Sequence, residues 1–453
     1  RILSKLRHIM QKFHISTLGC QMNQADSLKL SAGLEALGWQ TAENERDSSL
    51  VVINTCSVRQ HAEDRAYSHL GRLRKQKESG LKIQIAVMGC MVGPKTDELS
   101  KRFPYVDAWA RPQEFDPILQ LAESISEAPE GELGILSSIL NRDISRTYAR
   151  PEGVSAFIPV VHGCDKFCTY CIVPLRRGRE RSRSVEDIMH EIKWLADRDI
   201  KEVTLLGQTV EAYGHDLPDS PTLATLFEEI ENISGIKRVR FLTSYPKDMT
   251  DEIISSVAQS SKVCEHFNIP VQSGSNSMLG RMRRGYMVED FENRVEKIRT
   301  LMPNASIATD MIVGCPGETQ SEFQETVELL EKINFNTIHV AAYSPRPGTY
   351  ADRKMDDDIP KEIKKERLQI IEAIHAKSSG NINSLAVGNQ VEVLVETLAG
   401  HQGMGRTRGG VIVHFSPNGE KIAAGELVLV EITSATAWSL KGHVANTLSL
   451  AVI

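Results

Sequence analysis

Three cysteines, Cys164, Cys168 and Cys171, form a Cys-x3-Cys-x2-Cys array directly after an apolar run. That spacing lets the chain fold back around one face of a metal cluster. Three thiolates on a cube of four irons leave one iron without a protein ligand, an open position that can bind a small molecule. Structural zinc normally takes four ligands in paired short spacings, and no second pair follows here. A second triad, Cys20, Cys56 and Cys90, is scattered in sequence, yet each member falls one or two residues beyond an apolar run that reads as a parallel strand. Neighbouring strands lie ~4.8 Å apart, so three such turns place three thiols together at the carboxyl edge of a sheet. One of them alone would read as a small buried hydrophobe. Three in the same topological place read as a second three-thiolate cluster. Cys264 and Cys315 have no comparable partners and read as core or strand-end residues.

The elements that must position these thiols follow from hydrophobic patterning. Apolar runs at Phe13–Leu18, Leu50–Asn54 and Ile83–Met88 alternate with helices, one carrying Leu30, Leu34 and Leu37 on a face closed by Gly38. Continuous apolar strands separated by helices are buried on both faces, as in a parallel sheet. Residues 123–153, rich in Ser, Glu and Gly, read as a connection. Six further runs follow at Phe157–Val161, Val203–Leu206, Val239–Leu242, Phe267–Val271, Ile307–Val313 and Ile338–Tyr343. With helices between them, they predict a partial (β/α)6 parallel barrel. The best-marked helix starts at Ser184, with Asp187 as its capping partner. A charged helix over 361–377 leads out of this region. Four short β-rich runs, Gln390–Val395, Val411–Phe415, Leu427–Ile432 and Val444–Val452, then predict a small antiparallel β-barrel of the kind that binds oligonucleotides.

Length and composition fit this division. At 453 residues the chain suggests about three domains. The expected boundaries are 11–125 for an N-terminal parallel α/β domain, 150–380 for the central barrel and 384–453 for the terminal one. With 41% hydrophobic and 25% charged residues, the chain is ordinary for a globular protein. No run of 18 or more apolar residues predicts a membrane span. Arg1 to Met10 is basic without an apolar core, so no secretory signal is expected there and the location is read as cytoplasmic. A net charge of −6 excludes nucleic-acid binding by bulk charge and leaves it to local basic patches.

Gly163-Cys-Asp-Lys-Phe-Cys-Thr-Tyr-Cys-Ile-Val-Pro, followed by Arg177-Gly-Arg and Ser182-Arg, resembles the radical S-adenosylmethionine methylthiotransferases. So do Thr17-Leu-Gly-Cys-Gln-Met-Asn, Val52-Ile-Asn-Thr-Cys-Ser-Val-Arg, Pro270-Val-Gln-Ser-Gly-Ser, Asp310-Met-Ile-Val-Gly and Tyr343-Ser-Pro-Arg-Pro-Gly-Thr. The Gln-Met-Asn and Asn-Thr-Cys-Ser-Val-Arg forms, with Arg281-Met-Arg-Arg-Gly-Tyr, are most similar to the MiaB family. The resemblance implies methylthiolation at C2 of N(6)-dimethylallyladenosine beside the anticodon of tRNA. It also implies two [4Fe-4S] clusters and two molecules of S-adenosylmethionine, one a methyl donor and one a radical source. The Cys20, Cys56 and Cys90 cluster would present the sulfur, and the Cys164, Cys168 and Cys171 cluster would bind S-adenosylmethionine. Implied partners are the tRNA anticodon stem-loop and an electron donor such as flavodoxin or ferredoxin, with the enzyme a monomer.

Four polar residues at barrel strand ends, Gln208, Gln272, Ser273 and Asp310, are candidates for lining the S-adenosylmethionine pocket, or for satisfying turn backbone groups. For RNA the candidates are Arg176 and Arg177, within a run of five arginines ending at Arg183, and Arg406 and Arg408 in a Gly-rich turn of the terminal barrel, which resembles a TRAM domain. That domain holds five glutamates against four Lys and Arg, so its charge alone argues weakly. Asn268, Thr209, Glu211 and Cys315 depart from the family pattern, which has His, Asn, Asn and Phe in those places. Competing readings are methylthiolation of threonylcarbamoyl adenosine, or of a protein side chain, and a non-catalytic RNA-binding protein with structural zinc.

Overall fold

The computed structural model describes residues 11–58, 60–125, 148 and 150–447. The sequence readings for Arg1–Met10, for most of 123–153 and for the end of the last strand lie outside them. The chain divides into two compact units. One takes residues up to Arg150 together with Cys171–Arg179, and the other takes Pro151–Tyr170 with everything from Glu180 onward.

The first unit is a five-stranded parallel sheet, β1 (Lys12–Leu18), β2 (Gln40–Thr41), β3 (Leu50–Thr55), β4 (Gln84–Gly89) and β5 (Ala108–Ala110), in the order β2-β1-β3-β4-β5. β3 is buried along its whole length, which its Leu-Val-Val-Ile run anticipates. Helix Gln21–Ala36 buries Leu30 and Leu34 against Trp39, Ile118 and Leu119 on one face, and helix Gln60–Glu78 buries Leu70 and Leu73 with Ile85 and Val87 on the other. The short β2 and β5 were not legible as strands, since two or three residues carry no period.

The second unit starts with β6 (Ser155–Pro159) and a small antiparallel ribbon, β7 (Val161–His162) paired with β8 (Arg181–Ser182). That ribbon ties the base of the loop 163–180. Then come β9 (Glu202–Leu206), β10 (Arg238–Leu242), β11 (His266–Asn268), β12 (Ser306–Val313) and β13 (Thr337–Ala342). β6, β9 and β10 form one parallel sheet, β11, β12 and β13 another, and a parallel bridge between Val239 and Val263 joins the two. These are the six strands of the expected partial barrel. Its core is aliphatic and aromatic, with Phe227, Phe241 and Phe267 in edge and tilted contact. Ser184 caps helix Val185–Ala196 by accepting from the Asp187 backbone NH, while the Asp187 carboxylate pairs with Arg183.

β14 (Gln390–Ala399), β15 (Gln402–Thr407), β16 (Ile412–Ser416), β17 (Leu427–Ala435) and β18 (Ser439–Thr447) close into a barrel in the order β14-β15-β16-β18-β17. Four of its pairs are antiparallel and β16–β18 is parallel. β15 is a strand where the sequence suggested a Gly-rich turn. A Cβ at Gly405 would sit 2.1 Å from the Leu394 carbonyl oxygen, and one at Gly403 2.3 Å from the Phe415 ring. The glycines are therefore a packing requirement of the ladder, and Arg406 lies on a strand. Three arginines clamp this barrel to the central one. Arg238 donates to Arg406 O and pairs with Glu392, Arg240 donates to Thr407 O and Arg408 O, and Arg408 forks onto Glu265. Arg238 opens β10 and Glu265 immediately precedes β11, while Arg240 reaches the same side from the middle of β10.

Gly89 ends β4 with φ +97°, and a Cβ there would lie 2.4 Å from Thr55 O and 2.5 Å from Asn54 Oδ1. Gly89→Ala should therefore cost about 3 kcal/mol, combining left-handed strain with overpacking. A fall in the thermal midpoint checks it, and an unchanged midpoint would mean that β4 can shift at no cost.

Candidate functional site

Cys20, Cys56 and Cys90 follow the carboxyl ends of β1, β3 and β4, which are adjacent in the sheet. The thiols lie close enough that Cys56 and Cys20 each disfavour ionisation of Cys90. Cys20 is the N-cap of helix Gln21–Ala36, and its Sγ lies 3.3 Å from Asn23 Oδ1. Asn23 is wholly buried and bonds to Asn54 Oδ1 and Thr55 O, while Asn54 donates back to Asn23 O and to Ser27 Oγ. Gly19 has no Cβ because Asn23 Oδ1 would lie 2.4 Å from it. Ser57 donates to Cys90 O, and Val58 NH to Cys56 Sγ. These bonds lock three turns from different strands into one frame.

Burial pushes the Cys90 thiol up to about 11, against the opposing pull of Arg177. The Arg177 guanidinium is buried beside it and pairs with Asp26, Nη2 to Oδ2, at 3.0 Å. Burial drives the Asp26 carboxyl upward and Arg177 opposes that shift.

In the second unit, Cys164 and Cys168 are buried on the loop that the β7–β8 ribbon ties. Gln208 Oε1 accepts from Gly163 NH at 2.6 Å, and Thr209 Oγ1 lies 3.5 Å from Cys164 Sγ. Asp165 and Glu180 exchange backbone-to-carboxylate bonds across the loop. Cys168 Sγ accepts from Arg284 Nη1 at 3.3 Å. Arg284 is itself fixed by Pro270 O and the Tyr286 hydroxyl, and its own carbonyl accepts from the Tyr245 hydroxyl. Burial raises the Cys164 thiol. Cys171 is half-buried and belongs to the first unit.

The donor sets fit iron–sulfur cubes. Among the described residues no three His, Cys, Asp or Glu side chains converge closely enough to hold one metal ion. A tetrahedral zinc at ~2.3 Å from each sulfur needs them under about 4 Å apart. A cube carries each thiolate on a different iron and spreads its ligands wider. A buried arginine stands by a sulfur of each set, Arg177 by Cys90 and Arg284 on Cys168, and such hydrogen bonds tune a cluster.

Comparison with known proteins agrees. Residues 158–330 match the radical SAM superfamily, residues 12–111 match the uncharacterized protein family UPF0004 and residues 385–445 match the TRAM domain. The tRNA-2-methylthio-N(6)-dimethylallyladenosine synthase of Dehalococcoides mccartyi strain CBDB1 is 41% identical over 97% of this chain and 100% of its own length. That of Dictyoglomus thermophilum is 41% identical over 97% and 100%. The chain belongs to this synthase family.

It is a radical S-adenosylmethionine enzyme of the methylthiotransferase class, with S-adenosylmethionine and [4Fe-4S] clusters as cofactors. The fold is also that of a solved radical S-adenosylmethionine methyltransferase, TsrM from Kitasatospora setae, at TM-score 0.56 and 15% identity over 86% of this chain and 79% of the other.

Against this family, the remaining expected site residues separate into those turned to the barrel top and those used as structure. Gln272 has φ +75° and a buried Oε1 that accepts no bond among the described residues, so it is available to a ligand. Ser273 instead holds its turn, contacting Thr326 and accepting from Ser275 NH. Asp310 accepts from Gln272 NH through its carbonyl and from Asn268 Nδ2 through its carboxylate. Gln208 and Thr209 hold the cysteine loop. Arg177, expected to contact RNA, has its side chain buried on Asp26. Arg408 likewise anchors the terminal barrel, with all three guanidinium nitrogens engaged by Glu265, Ser261 O and Val263 O. Arg176 is half-buried, and Arg406 pairs with Glu396 while staying 42% exposed.

Sequence reasoning missed Arg284 as a contact to Cys168, although its Arg-Arg-Gly-Tyr motif had been noticed. It also gave no role to Glu211. This carboxyl is fully buried, burial raises it to about 8, and its Oε2 accepts from Tyr245 NH. The folded form therefore holds a proton that the unfolded chain has lost, and stability contributed below about pH 4.5 drains away as pH rises toward 8. Glu211→Gln should remove this slope, making the variant more stable than the wild type at pH 8.5 by ~3 kcal/mol or more, with a much smaller gap at pH 5. Thermal melts at both pH values check it.

Proposed function

We propose that the chain methylthiolates C2 of N(6)-dimethylallyladenosine next to the anticodon of tRNA. The reading is carried by the gathering of Cys20, Cys56 and Cys90 at three adjacent strand ends. In this reading Cys20, Cys56 and Cys90 hold an auxiliary cluster, and Cys164, Cys168 and Cys171 hold the one that binds S-adenosylmethionine. The clusters supply, when bound, one-electron cleavage of S-adenosylmethionine and a sulfur for insertion at C2, whose hydrogen no protein base could remove.

The residues of the chain do the positioning. Gln208 and Thr209 fix the start of the cysteine loop, and Arg284 donates to the Cys168 sulfur. The unpartnered side-chain oxygen of Gln272 suits the amino group of S-adenosylmethionine, and Asp310 stands beside it on the neighbouring strand. Glu211 is neutral at physiological pH and offers a hydrogen-bond donor at the barrel top. Arg406 on the terminal barrel is the arginine best exposed to meet RNA phosphate among the four expected. We assign 11–125 to the auxiliary-cluster domain, 150–380 to the radical core and 384–453 to the RNA-binding TRAM domain. The protein works as a cytoplasmic monomer reduced by a flavodoxin or ferredoxin. Among the described residues no helix is long and apolar enough to cross a membrane.

Two measurements test the reading. Anaerobically reconstituted protein should carry about eight irons, falling to about four in a Cys164→Ala, Cys168→Ala, Cys171→Ala variant. Expression in a bacterium deleted for its own methylthiotransferases should restore 2-methylthio-N(6)-dimethylallyladenosine in digested tRNA. Appearance of the methylthiolated threonylcarbamoyl nucleoside instead would reassign the substrate. Four irons in the wild type and none in the variant would overturn the two-cluster reading.

A further inference from the structure

One buried cation in the first unit is left with a donor to spare, and it lies near the thiols of Cys20 and Cys90. The side chains of Arg177 and Asp26 are only 2% and 3% exposed. Nη2 bonds the Asp26 carboxylate at 3.0 Å, whereas Nη1 is also buried and donates to no atom among the described residues. Leaving a charged donor dry and unpaired is costly, so such a group marks a place where something else accepts. The thiols of Cys20 and Cys90 both lie within electrostatic reach of this guanidinium. Asp26 cancels the charge of Arg177 at a distance but not nearby. The pair therefore acts as a fixed dipole whose positive end meets the thiols.

We propose that Arg177 is the positioning residue of the Cys20, Cys56 and Cys90 centre, donating its free Nη1 to an anionic sulfur held there, with Asp26 fixing the plane of the guanidinium. The inference rests on the reading above that this centre presents sulfur. A hydrosulfide or methanethiolate has both the negative charge and the lone pairs that a buried guanidinium donor selects, whereas a neutral thioether has lone pairs only. The same donor stabilises the more negative, reduced state of the centre, so removing it makes reduction harder.

The test uses the full chain carrying Cys164→Ala, Cys168→Ala and Cys171→Ala, so that only the centre in question is loaded. Its midpoint potential is measured, and sodium methanethiolate is titrated against the electron paramagnetic resonance signal of the reduced protein. Adding Arg177→Met should keep about four irons, move the midpoint to a more negative potential and weaken methanethiolate binding about tenfold or more. Arg177→Lys should recover part of both. Iron retained with an unchanged potential and unchanged methanethiolate binding would overturn the proposal. If Arg177→Met fails to hold iron, the same two readings on Arg177→Lys decide, a shift in both supporting the proposal and wild-type values overturning it. No iron in the triple cysteine background itself would overturn both this proposal and the two-cluster reading.

Discussion

Iron takes sulfur as thiolate, and thiolates gathered in a dry place repel one another. Much in both candidate centres answers that constraint. Cys90 is pushed up to about 11, chiefly by burial with Cys56 and Cys20 adding to it, even against the pull of Arg177. Left to itself such a site would keep its protons and bind metal poorly. Arg177 pulls against the rise at Cys90, and Arg284 donates to the Cys168 sulfur. Neither arginine could stay buried alone, so each has its own support. Asp26 carries the first; the carbonyl of Pro270 and the hydroxyl of Tyr286 carry the second.

Holding three sulfurs still is the other half of the problem, and parallel sheets solve it with strand ends. Adjacent β1, β3 and β4 deliver their turns to one edge. The turns are then fastened by a side-chain lattice, Asn23 to Asn54 to Ser27 to Thr17. Gly19 and Gly89 are the openings that lattice needs, since any Cβ would occupy the place of an asparagine oxygen. In the second unit the cysteine loop rises from the carboxyl end of its barrel, while Arg238, Arg240 and Arg408 fasten the terminal barrel to the amino-terminal rim. A five-residue strand separates the two by ~17 Å. Arg408, expected from sequence to meet RNA, is thus mortar between the two barrels.

The two triads and the six barrel strands were legible because they depend on local patterns: cysteine spacing, continuous apolar runs and the helices between them. The gathering of Cys20, Cys56 and Cys90 could be inferred from topology alone, since strand spacing dictates it. What escaped were long-range pairings. Arg177 meets Asp26 across 151 residues and Arg284 meets Cys168 across 116. Nothing in sequence separates a guanidinium that faces solvent from one that faces a thiol. β15 escaped for the opposite reason. Gly403 and Gly405 lower strand propensity locally but are imposed by close approach to Phe415 and Leu394 in the closed barrel.

The departures from the family pattern make chemical sense in this light. Thr209 stands where the pattern has asparagine, yet its hydroxyl still lies 3.5 Å from Cys164 Sγ, so a polar contact to the loop survives the change. Glu211 replaces another asparagine. An ionised carboxylate there would be an acceptor only, and buried charge without a cation would be costly. Burial resolves the conflict by keeping the group protonated below about pH 8. A neutral carboxyl presents one carbonyl acceptor and one donor, the hydrogen-bonding pattern of an amide. The substitution that looks most drastic in sequence, an amide exchanged for an acid, is therefore conservative in the environment the fold provides.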